Sequence, residues 1–117
     1  MSSRSFRNNN PGNLRFSTFT EERGAVDDGD NYSKFPDFPR GTACMVTLLA
    51  QKGYRNLTMT EAIKRYAPAS DSNYPDQYVA FVSRKSGVPR DKKLTDMTPF
   101  EYLDMIKAMI EFEGWKP

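Results

Sequence analysis

The sequence predicts a mainly α protein (α+β), with about four helices and a small β-hairpin near the N-terminus. Two capping boxes, Thr58-x-x-Glu61 and Thr98-Pro99-x-Glu101, each open an apolar run. Prolines at 39, 75 and 99 stand where helices start, and glycines at 53, 87 and 114 where they stop. Before Pro39 the helical period gives way to turn residues and aromatics at short spacing.

Residues 1–13 are polar and turn-rich. Asn8, Asn9 and Asn10 precede Pro11, Gly12 and Asn13. Asparagine bonds to nearby backbone and tolerates left-handed geometry, and Pro-Gly suits a type II turn. Leu14 to Phe19 reads as a short strand, with Leu14, Phe16 and Thr18 on one face. Thr20 to Asn31, acidic and punctuated by glycine, reads as the hairpin connection. Tyr32 to Phe38 returns as a second strand, which Pro36 confines to an edge.

The first long helix is expected over Pro39 to Gly53, with Ala43, Val46, Leu49 and Ala50 on its apolar face. The next runs from Thr58 through Ala62, Ile63 and Tyr66. Pro68 ends it by disfavouring helical geometry at Ala67. A polar loop follows, then a helix from Pro75 with Tyr78, Val79, Phe81 and Val82 inside. Gly87 closes it. The last helix carries Phe100, Leu103, Ile106, Met109 and Ile110 on one stripe, and Trp115 is expected to fold back onto the body.

The 117 residues fit one domain able to build a core without staples. Cys44 is the only cysteine and sits among apolar neighbours, so it reads as a buried thiol that forms no internal disulfide. There is no histidine. That excludes Ser–His–Asp and Cys–His nucleophiles and every zinc site built on imidazole. No metal and no cofactor is expected. The net charge is +2, from 17 basic and 15 acidic side chains. Arg84, Lys85, Arg90, Lys92 and Lys93 are the densest bases, but this near balance argues against a nucleic-acid partner. No stretch approaches the ~20 apolar residues of a membrane span. Residues 1–7 lack a signal-peptide core, so synthesis in the cytosol is expected, with any outside role served by another delivery route.

Enzyme chemistry would have to rest on carboxylates, Lys, Tyr or Ser. Carboxylates suit glycoside hydrolysis, in which a protonated acid donates to the leaving oxygen. The candidates are Glu21, Glu22, Asp27, Asp28 and Asp30, to be set against a solvated acidic loop. Asp27-Asp28-Gly29-Asp30 fails the spacing of an EF-hand calcium loop. The three asparagines concentrate amide donors and acceptors that suit sugar hydroxyl and N-acetyl groups, or that hold the protein's own loops. Asn73 and Tyr78, beyond Ala67-Pro68, form a second polar cluster.

The run Arg7 to Arg15, the pair Phe35 and Phe38, and Gly41-Thr42-Ala43 resemble a family of small phage and prophage virion proteins. Tyr66-Ala67-Pro68, Asn73, Tyr78 and Gly87-Val88 continue that pattern in order. The layout is similar, more distantly, to bacterial cell-wall glucosaminidases of the lysozyme-like superfamily. That resemblance implies a lysozyme-like fold with a peptidoglycan-facing groove near Asn9, Asn13, Arg15, Phe35, Tyr66, Asn73 and Tyr78. In the glucosaminidases a catalytic Glu precedes the Asn-Asn turn. Here the seven preceding residues include no acid. Either Glu21 or Glu22 takes that role, or the protein binds glycan without cleaving it. The alternative is a non-enzymatic virion assembly protein, with other virion proteins as partners.

Overall fold

The computed structural model describes residues 1–68 and 74–117. They divide into two compact units, Met1–Leu48 with Glu113–Pro117, and Leu49–Phe112.

The first unit opens on α1, a single turn at Arg4–Arg7, whose Phe6 N–H donates to the Ser3 hydroxyl at 3.3 Å. The asparagine turn follows. Asn9 and Asn13 adopt φ of 51° and 50°, the left-handed region that asparagine enters more readily than other side chains. Asn10 is buried, and its amide links two segments. Nδ2 donates to the carbonyls of Leu14 (3.0 Å) and Ser33 (2.9 Å), and Oδ1 accepts the Leu14 N–H at 3.0 Å. The other buried polar residues of the described chain, Ser5, Asn8, Thr20 and Ser33, also lie in this unit.

The expected strand Leu14–Phe19 is reduced to one antiparallel bridge, Arg15 with Tyr32. The reason is local. Ser17 and Thr20 exchange side-chain and backbone hydrogen bonds as a capping box, which turns Thr18–Glu21 into the short helix α2. β1 (Val26–Asp27) lies inside the expected loop and pairs antiparallel with β2 (Ser33–Lys34), Val26 opposite Lys34. The acids between them fold the connection. Asp27 Oδ1 accepts from the N–H of Gly29 (2.8 Å) and Asn31 (3.1 Å), and Asp28 Oδ1 from Asp30 (2.8 Å) and Tyr32 (3.2 Å). Burial alone would raise the Asp28 carboxyl. The Asn8 amide at 2.9 Å, these two N–H donors and Arg4 outweigh it and hold the carboxyl below its ordinary value.

α3 spans Phe38–Leu49, started by Asp37, whose carboxylate accepts the Arg40 N–H at 2.8 Å. It stops short of the expected Gly53, because the chain turns at Gln51, whose carbonyl takes the N–H of Tyr54 and Arg55. Gly41 meets the asparagine turn directly. A Cβ there would overlap the Asn9 carbonyl oxygen and lie 3.2 Å from Pro11 Cδ.

The second unit is helical. α4 (Met59–Tyr66) and α6 (Pro99–Phe112) begin at the two Thr/Glu capping boxes, and α5 (Pro75–Ser86) begins on its proline. Gly87 caps α5 at φ 73°. α5 packs on both α4 and α6. α6 buries Met105, Ile106, Ala108 and Met109. Phe100 and Leu103, expected inside, are 81% and 52% exposed, because the 3.6-residue period puts them on the opposite face. A 3-10 turn at Leu94–Asp96 was not foreseen from the sequence. No helix among the described residues is long and apolar enough to cross a membrane.

Two outcomes follow from the bracing of the first unit. Asn10→Leu strands the Leu14 N–H and the Ser33 carbonyl, and is expected to lower unfolding stability by about 3–5 kcal/mol in urea titration. A loss under about 1 kcal/mol would show that the amide is not a brace. The lowered Asp28 carboxyl stabilises the fold above the ordinary Asp value, and that contribution fades as pH falls from about 4 toward its folded-state value. The wild-type urea midpoint should therefore drop more steeply than that of Asp28→Asn below about pH 4.

Candidate functional site

The asparagine turn, the most sugar-like feature of the sequence, is committed inward. Asn8 Nδ2 bonds the Asp28 carboxylate, and Asn9 Nδ2 donates to the Phe35 carbonyl at 3.2 Å. Asn13 Nδ2 donates to the Glu113 backbone and side-chain oxygens at 3.0 and 3.2 Å. Asn9 and Phe35 are thus brought together. The Phe35 ring, however, is 2% exposed and offers no open face to a ligand. Arg15 lies apart from them, with its guanidinium 4.4 Å from the Tyr32 ring centre. Arg4 covers the same ring at the same distance and also pairs with Asp28 and Asp30.

The aromatic surface of this unit is elsewhere. Trp115 folds back between Phe6 and Phe38, its ring centre 5.2 Å from the first and 4.6 Å from the second, both edge-on. Phe6 and Phe38 remain more than a third exposed. Hydrogen bonds of 3.0 Å between Ser3 and the Lys116 backbone, in both directions, hold the segment carrying Trp115 in place. Phe6 escaped the sequence reading because no periodicity marks a one-turn helix, and its partner stands 109 positions later.

Glu21 ends α2 and Glu22 caps it, and both are exposed. Glu22 lies 4.0 Å from Arg23. A concavity of ≈ 260 Å³ in this unit is lined by Arg23, Arg40, Ala43, Cys44 and Thr47, and neither glutamate is among these lining residues. Cys44 forms part of the lining and is nearly inaccessible. Burial pushes its thiol pKa up, against a smaller opposing effect of the Arg23 charge.

In the second unit Tyr66, half-buried, ends α4. Tyr78 is buried on α5 and stacks on Phe112 with ring centres 4.2 Å apart, so its ring belongs to the packing. Asn73, with Asp71 and Ser72, lies outside the described residues. Among the bases set aside as a nucleic-acid surface, Lys85 pairs with Glu111 at 3.3 Å and Lys92 with Glu101 at 2.8 Å.

Comparison with models of known protein families gives no match. The chain is 32% identical over 121 aligned positions to Protein P5 of Pseudoalteromonas phage PM2, a similarity that covers 95% of this chain and 71% of that protein. Identity of this degree along nearly the whole chain shows common descent: the protein belongs to the phage protein family of Protein P5.

Proposed function

We propose that this chain is a peptidoglycan-directed, lysozyme-like phage protein that binds cell-wall glycan without cleaving it. The observation that carries the reading is the Phe6–Trp115–Phe38 cluster, in which Phe6 and Phe38 are exposed and Trp115 is half-buried. Flat aromatic faces held in place by packing suit the C–H faces of pyranose rings, and rigid aromatics lose little entropy on contact. The inward commitment of Asn8, Asn9 and Asn10 makes the turn the scaffold behind this surface. The exposure of Glu21 and Glu22, outside the neighbouring concavity, favours binding over hydrolysis. Descent within the phage family of Protein P5 gives this reading its setting, with the virion as the proposed vehicle.

A second reading has its own observation. Phe100 and Leu103 sit one turn apart on the outer face of α6, an apolar pair suited to assembly with other virion proteins.

Incubation with purified peptidoglycan tests the first reading. The protein is expected to co-sediment with the wall and to release no soluble muropeptides. Trp115→Ala should weaken binding at least about tenfold, equivalent to ~1.4 kcal/mol, with helicity retained by circular dichroism. Glu21→Gln and Glu22→Gln should bind as wild type. Muropeptide release abolished by either Gln variant would instead make the protein a hydrolase and name its acid. For the assembly reading, light scattering should show a species larger than a monomer. The double variant Phe100→Ser, Leu103→Ser should return it to monomer mass.

A further inference from the structure

The concavity beside α2 is built from one face of α3. Arg40, Ala43, Cys44 and Thr47 follow the spacing i, i+3, i+4, i+7, which places them on a single helical stripe. The small side chains of Ala43 and Cys44 make the hollow, and Arg40 stands at its N-terminal end. Arg23 closes it from the turn after α2. Its guanidinium is held in a defined pose, 3.6 Å over the Phe19 ring centre, with Nη1 donating to the Phe19 carbonyl at 2.8 Å. Two cations therefore border the space, and none of its five lining residues is a carboxylate. The hollow on α5 and α6 is different, because there Lys85 and Lys107 face Asp104 and Glu111.

We propose that the Arg23–Arg40 concavity is an anion subsite for a carboxylate of a peptidoglycan fragment, which makes acidic muramyl peptides, rather than neutral glycan, the ligand class. The inference rests on the wall-binding reading above. Guanidinium forks match carboxylates bidentately and are the donors best suited to such recognition. Both arginines have acids at hand, Asp37 for Arg40 and Glu22 for Arg23. Arg40 and the Glu22 side chain are well over a third exposed. Exposed pairs of this kind contribute little, so an incoming carboxylate can exchange for them.

The test is titration of the full chain, followed by amide NMR shifts, with muramyl dipeptide, the same compound with its one free carboxyl group amidated, and inorganic phosphate. Muramyl dipeptide is expected to shift Cys44 and Thr47 and to bind at least about tenfold tighter than the amidated form, with affinity falling as salt rises. Arg23→Gln and Arg40→Gln should each remove most of that preference. Ala43→Gln, a helix-tolerant change at an exposed position, should block the hollow while leaving both charges. Equal binding of the charged and amidated compounds, unchanged in these variants, would overturn the subsite and leave wall binding standing. Binding of phosphate but not of muramyl dipeptide would overturn the carboxylate assignment. Failure of both muramyl compounds and of whole peptidoglycan to bind would overturn the subsite and the wall-binding reading together.

Discussion

The first unit depends on one side-chain amide. Asn10 faces a backbone donor on Leu14 and backbone acceptors on Leu14 and Ser33, and an amide is the group that offers both polarities at one carbon. Aspartate would turn a carboxylate on two carbonyl oxygens, and leucine would answer none of the three. With that link made, the turn and β2 become one body, and the rest follows. Asn9 and Asn13 take the left-handed geometry that carries the chain around, and Gly41 leaves room for the Asn9 carbonyl against α3. The unit is organised by hydrogen bonds where a larger domain would use apolar volume, which is affordable because most of its buried polar groups find partners; Asn13 Oδ1 is an exception.

This organisation decides where function can lie. Amides locked to the protein's own backbone have few donors left for a ligand, and Phe35, behind them, is sealed. Beside them stand the exposed rings of Phe6 and Phe38 with the half-buried Trp115, and the cations Arg23 and Arg40. The second unit works by different rules. Its helices meet through methionine and branched aliphatic side chains and the Tyr78–Phe112 stack, and Lys64, Lys85 and Lys92 pair with acids on its surface.

The sequence was most legible where structure is decided locally. Thr58 with Glu61, Thr98 with Glu101, and Gly87 announce their helix ends because each cap is complete within a few residues. It was least legible before Pro39. Leu14, Phe16 and Thr18 alternate as a strand would, yet the Ser17–Thr20 box bends the chain at Thr18 and leaves only Arg15 in a bridge. With strands of two residues there is no period to say which aromatic points inward, so Phe35 and Phe38 read alike but differ in fate. The aromatic cluster and the Arg23–Arg40 hollow join residues distant in sequence, and no local pattern encodes such meetings. The family resemblance read from the Asn-rich opening pointed to phage proteins, and the match to Protein P5 agrees with it.

The polar interior of the first unit has a thermal consequence. Exposing apolar surface raises the heat capacity on unfolding, and exposing polar surface lowers it. A unit that buries Ser5, Asn8, Asn10, Thr20 and Ser33 beside a modest set of apolar side chains has a small heat-capacity increment for its size. Its stability curve is correspondingly broad and shallow. It loses less on cooling than a unit held by hydrophobic packing, so the asparagine-braced face keeps its shape over a wide range of temperature.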